Sequence, residues 1–477
     1  MRWWACVALF VGAGLPSACR AGEPPDASPP TAATATAAQP ASDHPFTEKE
    51  IQAFALELMP HIERIMQRKF KRVPPIVLGD AEAVAQILAA DLEPSVRKEQ
   101  PELDEGEARA QALAQARQRV PEILGKYGVK AGKLGLMPQN LMGTLEASQI
   151  DRKHAAAIMK LLLAHELTHA LQAQYVDILD RLVAQPSDDA TMAYAAVIEG
   201  HPMFVQERVG EAIGLGAAVR EYARVFSVCG PDFPDAECCS EATYRHFMYV
   251  TGKRFIEYHY LKGGAERLWE ILAQPPALSS MISRPETYSP LAPKRPDLSR
   301  AFAKIEARFS ARRWTVLQRD LGDIHLRSLY ADRGATGLDT LTDHVAAARS
   351  LEAVLPRQGR IEITLFALRD AKGAARFLDW LHAPVAESAQ AMSRNPAFRV
   401  KEFAEGKYAD VPSDVSRQCA LVLTNEAGRK VFDQRQTLVA RGDLLLQVLT
   451  ERRPLAKAEL ARLVEDVLQA ASERKTP

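Results

Sequence analysis

The chain has no excess of charge. Its 477 residues hold 60 lysines and arginines against 60 aspartates and glutamates, with no basic block. A nucleic-acid partner is therefore not expected, since such proteins carry a clustered positive surface. Long apolar runs are missing too. Beyond the first residues no stretch reaches the roughly 20 apolar positions that carry a helix across a bilayer. Cysteine is scarce, six in all, and no Cys-x-x-Cys occurs. That argues against a thiolate metal site. No internal repeat is present.

What the chain does have is His165-Glu166-Leu167-Thr168-His169. On a helix, positions four apart share a face, so both imidazoles can reach one metal ion. Glu166, beside the first histidine, can take a proton from a metal-bound water. This is the arrangement of a zinc hydrolase. The motif follows Ala155 to Ala164, a run of strong helix formers, and neither Gly nor Pro interrupts it before Pro186. Leu163, Leu167 and Leu171 form a core stripe beside the histidines.

A hydrolytic zinc site usually adds a third protein ligand and keeps one position for water. Glu199 is the candidate. It interrupts an apolar helical segment from about 190 to 209 and shares a face with Met192 and Met203. A buried carboxylate is costly unless paired or bound to metal. Pairing with Arg208 or another base is the alternative. His201 is the rival ligand, but two residues on it points about 200° around the helix, and Pro202 adjoins it.

The stretch from about Leu161 to Tyr288 resembles bacterial extracytoplasmic zinc metallopeptidases of the gluzincin, thermolysin-like superfamily. The residues that carry the resemblance are His165-Glu166-Leu167-Thr168-His169-Ala170-Leu171-Gln172, then Glu199-Gly200. It continues through Tyr249-x-x-Gly252, Gly263-Gly264, Pro275-Pro276 and Pro285-Glu286-x-Tyr288. The resemblance implies Zn²⁺ held by His165, His169 and Glu199, with Glu166 as general base. It also implies a peptide or protein substrate. One departure is Met203, which stands where such enzymes often place an Asp supporting a metal-bound histidine. The transition-state donor is open among Tyr288, Tyr249, Arg284 and His246. Lys133 to Pro138 is a candidate edge strand for pairing with a substrate backbone, with a plain loop as the alternative.

The ends suggest export. Residues 1–19 read as a signal segment, with Arg2 followed by an apolar stretch to Leu15. Leu15-Pro16-Ser17-Ala18-Cys19 resembles a lipobox, which would make Cys19 a lipidated N-terminus and the sole membrane attachment. Ordinary signal cleavage near Ala18 or Ala21 is the alternative. Residues 20–44 read as a disordered Pro- and Ala-rich tether. An exported protein can form disulfides. Cys229 with Cys238 or Cys239 would close a loop, and Cys419 could take the remaining neighbour.

The expected fold class is α+β. A mostly helical, zincin-like domain over 45–295 precedes a smaller α+β domain over 296–477, the change falling at the six prolines of 275–296. Thr47 and Glu50 form a capping-box pattern for a first helix. Pro74 to Asp80 reads as a strand, Glu99 to Gly128 as one or two solvated helices, and 242–261 as another helix. In the second domain strands are expected at Asp323–Leu326, Ile361–Phe366, Cys419–Thr424, Thr437–Ala440 and Leu444–Leu449. Gly442-Asp443 reads as a hairpin turn, so Arg441-Gly442-Asp443 is a turn and not an adhesion motif. Helices are expected over 371–382 and 454–472. The functional expectation is an exported zinc metallopeptidase. The rival is a zinc-stabilised, catalytically inactive binding lipoprotein of the cell envelope.

Overall fold

The structure, a computed structural model, describes residues 46–226, 240–291, 293–329, 344–355, 359–393, 399–424 and 428–473. The signal and tether segments with Cys19, and Cys229, Cys238 and Cys239 with their expected bridge, lie outside the described residues. The fold is mixed α+β, and the chain divides into two compact units after Leu291.

The first unit is mainly helical. It runs α1 (Glu48–Met66), β1 (Ile76–Leu78), α2 (Ala81–Glu99), α3 (Glu105–Arg119), β2 (Gly125–Gly128), β3 (Lys133–Leu136) and α4 (Pro138–Ala147). Then follow α5 (Ala155–Tyr175), α6 (Ile178–Val183), α7 (Asp188–Ala212), α8 (Gly216–Phe226), α9 (Ser240–His246), α10 (Gly252–Ala273) and α11 (Ser279–Ser283). The capping box forms as its sequence suggests: the Thr47 hydroxyl accepts the Glu50 N–H at 3.3 Å, and the Glu50 carboxylate accepts the Thr47 N–H at 2.8 Å. The 99–128 stretch is less solvated than its composition suggests. Ala108, Ala112 and Ala116 are fully buried in a cluster with Val84, Leu88 and Leu92 of α2. Small side chains four apart make a flat face on which a second helix can lie close.

The small sheet has the order β1-β3-β2. β3 pairs parallel with β1 and antiparallel with β2. The 133–136 segment is therefore the central strand, and the expectation of an edge strand there is corrected. Both its edges are taken, and the strand beside the motif helix is β2. The motif helix α5 is buried around almost its whole circumference from Ile158 to Gln172, not along one leucine stripe. A helix apolar on all sides belongs in the interior.

The second unit runs α12 (Ser299–Ala311), β4 (Thr315–Leu321), α13 (Asp323–Leu329), β5 (Val345–Leu355), β6 (Gly359–Leu368) and α14 (Ala371–Ser393). It ends with β7 (Arg399–Gly406), β8 (Val415–Thr424), β9 (Lys430–Arg441), β10 (Leu444–Glu451) and α15 (Lys457–Ser472). One seven-stranded antiparallel sheet has the order β4-β5-β6-β10-β9-β8-β7. Its alternating side chains feed two cores. Leu351, Ile363, Val439 and Leu446 pack with Phe302 of α12 and Val464 of α15, while Phe366, Leu438 and Leu445 pack with Phe377 of α14. The expected strand at Asp323–Leu326 is a helix instead. Asp323 pairs with Arg327 one turn on, at 2.7 Å, a spacing that suits a helix and not a strand. Gly442 makes the hairpin turn with φ 59°. Cys419 is a buried free thiol among the described residues, and the neighbours expected to bridge it, Cys238 and Cys239, lie outside them.

Candidate metal centre

The site is built where α5 and α7 lie side by side. The backbone of α7 is held close to that of α10 by two glycines. A Cβ on Gly200 would sit 2.2 Å from the Gly252 carbonyl carbon, and one on Gly252 would sit 2.3 Å from the Ala196 carbonyl oxygen. The Glu199-Gly200 and Tyr249-x-x-Gly252 patterns are thus two sides of one helix contact.

His165, His169 and Glu199 are all buried and converge. His165 Nε2 lies 3.2 Å from His169 Nε2 and 3.3 Å from Glu199 Oε2. His169 Nε2 lies 3.5 Å from Glu199 Oε2. A tetrahedral ion with bonds of about 2.0–2.2 Å sets its N and O ligands about 3.3–3.5 Å apart. The three edges therefore fit such an ion.

The tautomers point the same way. His165 Nδ1 faces the side-chain Oε1 of Gln206 at 3.1 Å, and His169 Nδ1 faces the side-chain Oε1 of Gln172 at 3.0 Å. Facing an acceptor, each Nδ1 carries the proton, which leaves both Nε2 lone pairs aimed at the same point as the Glu199 carboxylate. Three lone pairs converging in a buried space repel unless a cation sits among them. The other Glu199 oxygen, Oε1, has no hydrogen-bond partner among the described residues. Burial works against a charged Glu199, but the facing His169 and His165 rings outweigh it and hold its pKa at about 2. Burial likewise opposes charge on His169, yet Glu199 draws its pKa up. The shifts are those of a carboxylate drawing positive charge to itself, which a proton on His169 supplies when no cation is there.

The orientation of Gln172 has a traceable cause. Pro202 lies inside α7 and has no N–H, so the Ile198 carbonyl one turn earlier lacks its helical donor. The Gln172 amide NH₂ donates to that carbonyl at 3.4 Å. Its own oxygen is thereby turned toward His169. Gln172 and Gln206 fill the supporting role that Met203 cannot. Gln172 stands three residues after His169 and Gln206 seven after Glu199, spacings that place each on its ligand's face. That was the sequence signal for both.

Glu166 is buried on the same helix, and its Oε2 accepts the Tyr127 backbone N–H at 2.7 Å. β2 is an edge strand, so this N–H lies on its outer side. The neighbouring Lys126 is buried too, 3.8 Å from the buried Asp91, and opposes protonation of His169.

Among the expected donors, Tyr249 is brought to the site. It sits in a π-helical turn, Phe247–Thr251, with its ring centroid 6.1 Å from that of His165. Burial, then Glu199 and Glu166, push its pKa well up. Tyr222 of α8, which no motif marked, is pushed up by burial and the same two carboxylates. Tyr288 is elsewhere. It packs on His259, and its hydroxyl donates to the Gln274 carbonyl at 2.6 Å. Arg284 ends α11, its N–H on the Ser280 carbonyl. His246 is the last residue of α9, just before the π turn. His201 faces Trp269, with ring centroids 6.2 Å apart, and is outside the converging group. Burial, with His169 nearby, lowers its pKa to about 3.

Comparison with protein-family models and with curated proteins finds no match. Among solved structures the chain is similar to a candidate hydrolase with a novel fold from Chloroflexus aurantiacus. The identity is 16% over 52% of this chain and 90% of that one, with a TM-score of 0.38. It is also similar to the extracellular domain of PknH from Mycobacterium tuberculosis, at 12% identity over 33% of this chain and 79% of that one, with a TM-score of 0.21. Likenesses this distant carry no argument about chemistry, which rests on the geometry of the site.

Proposed function

We propose that this chain is an exported zinc-dependent peptidase, the reading implied by its resemblance to the gluzincin metallopeptidases. The observation that carries it is the convergence of His165 Nε2, His169 Nε2 and Glu199 Oε2 at tetrahedral spacing. Two histidines and one carboxylate suit zinc. When bound there, zinc supplies a water of lowered pKa and polarises the scissile carbonyl. Glu166 would serve as the general base, taking a proton from the attacking water and passing it to the leaving amine. Its carboxylate rests on the outer N–H of edge strand β2. An extended peptide pairing with β2 would take over that N–H and free the carboxylate to act. Tyr249 is the candidate donor to the developing oxyanion. Export rests on residues 1–19 alone, and Cys19 is the proposed point of lipidation.

The test is metal content of the full purified chain, measured by mass spectrometry beside a His165→Ala/His169→Ala double variant. About one zinc per chain, lost in the double variant, is expected. No metal in either, even after incubation with zinc, would sink the reading. A peptide-library screen with Glu166→Gln as control then tests hydrolysis.

A second reading is a metal-stabilised binding protein of the envelope. It is favoured by the burial of the whole site and by the engagement of Glu166 with Tyr127. That reading requires a metal-loaded protein that cleaves nothing and captures its partner unchanged when Glu166 is replaced by Gln.

A further inference from the structure

The second unit holds a cavity of about 370 Å³ at the start of α15, and nothing in the peptidase reading uses it. Its walls divide by chemistry. Leu455 and Leu460 supply apolar surface, while Tyr408, Arg435, Thr437 and Lys457 supply donors.

Tyr408 is 2% exposed, yet its hydroxyl has no hydrogen-bond partner among the described residues. A buried hydroxyl left unpaired is costly, so an acceptor supplied by a ligand would be stabilising. The residue is pinned by its own carbonyl, which accepts the Ser416 hydroxyl at 2.6 Å. Burial, and then Asp410, push its pKa up to about 12, so the phenol remains a donor at neutral pH.

The helix start gives a second, independent reason. α15 has Ala456 in the capping position and no side-chain cap. Alanine is among the poorest caps, and the N–H groups of an uncapped first turn favour an anion. The buried Nε–H of Arg435, on the sheet side, also makes no hydrogen bond among the described residues. Negative groups are present and set the limit on charge. Arg435 lies 3.2 Å from Glu402 and 3.7 Å from Asp433, and Lys457 lies 2.9 Å from Asp410. Both cations that line the cavity are thus balanced by carboxylates, so a ligand's negative charge would rest on the helix start and the Tyr408 hydroxyl.

We propose that this cavity is a binding site for a small amphipathic carboxylate, its head at Tyr408, Arg435 and the start of α15 and its aliphatic part against Leu455 and Leu460. One negative charge is within what an uncapped helix start stabilises, whereas a phosphate dianion would bring a second charge against Asp410, Asp433 and Glu402. A pocket of this volume is adequate for a short-chain acid.

The experiment titrates the full chain calorimetrically with octanoate and with octanamide, which has the same tail and no charge. Metal is first removed with a neutral chelator, so that binding at the triad is separated from binding here. Octanoate is expected to bind about tenfold or more tighter than octanamide, and Tyr408→Phe to lose about tenfold of that affinity, the worth of one hydrogen bond to a charged group. The phenylalanine keeps the ring packing, and an unchanged melting temperature checks that the fold is intact. Equal binding of acid and amide, no octanoate binding at millimolar concentration, or an unaffected Tyr408→Phe would each overturn the proposal. Displacement of octanoate by equimolar inorganic phosphate would overturn the assignment to a carboxylate.

Discussion

Two buried glutamines show how differently the helical and the sheet units treat polar side chains. Gln172 of α5 is fully buried, with both ends of its amide engaged, one by the Ile198 carbonyl and the other by His169. Gln436 of β9 is 2% exposed, and neither end has a partner among the described residues. In the helical unit the buried His165, His169, Glu199, Gln172 and Gln206 point at one another and at a common centre. In the sheet unit Thr364, Gln436, Thr437, Gln447 and Thr450 are strung along strands, following the alternation of the pleat. Burial of polarity alone therefore marks no site. Convergence does, because only convergence makes several groups depend on one cation.

The replacement with the largest expected effect leaves the convergence in place and removes the base beside it. Glu166→Gln keeps shape and metal ligands but removes the base, and a positioned general base is worth about 10²–10⁴ in rate. The expected outcome is peptide hydrolysis lowered by about that factor with zinc content unchanged. Full activity in the variant would leave the carboxylate without its role.

Next in size is the α7–α10 contact that seats the helix carrying Glu199. Gly200→Ala puts a methyl group 2.2 Å from the Gly252 backbone, where no flexible side chain can yield. Overpacking of this kind costs about 1–3 kcal/mol and occasionally more. Thermal or denaturant unfolding should show a loss at the upper end of that range, with reduced metal occupancy. A melting temperature equal to that of the parent chain would mean the two helices do not touch there.

The third effect is smaller and more specific. Gln172→Leu removes the group that fixes the His169 tautomer but keeps most of the buried volume. Loss of such a partner typically weakens metal binding by about 10–100-fold. A zinc titration by competition with a chromogenic chelator measures it, and unchanged affinity would separate Gln172 from the centre.

Much of this was legible in the chain, and the reasons are local. The His165–His169 spacing and the apolar run before it needed only helix periodicity to predict a shared face. Gly200 and Gly252 were visible as pattern residues, but their meaning was not, since their closeness spans fifty positions of sequence. Gln172 and Gln206 were within reach of the same periodicity that marked the ligands. Tyr222 and the Tyr127 N–H were not. One lies on a helix with no motif, and the other is a backbone group that any residue type supplies. Asp323–Leu326 read as a strand because four residues cannot distinguish a short apolar run from one helical turn. The alanines of α3 read as surface because small side chains hide their burial from a hydrophobicity count. The tethered signal segment and three of the cysteines lie outside the described residues and stay as sequence expectations.

The smallest effect is the most instructive counterpart to Gln172. Gln436→Met replaces an unpartnered buried amide with an apolar side chain of similar length. The lost polar group made no hydrogen bond among the described residues, so no partner is left stranded. Removing an unsatisfied buried amide recovers part of its desolvation cost, while the new side chain adds apolar burial. The expected result is a stability change between neutral and about 1 kcal/mol stabilising, read from the denaturant midpoint. Zinc affinity should be unchanged. The opposite signs of the two glutamine replacements, one weakening a metal centre and the other neutral or favourable, would separate polarity that serves a site from polarity that the sheet merely tolerates. A clear destabilisation by Gln436→Met would erase that distinction and show that the β9 amide is held as firmly by its surroundings as the α5 amide is by its two partners.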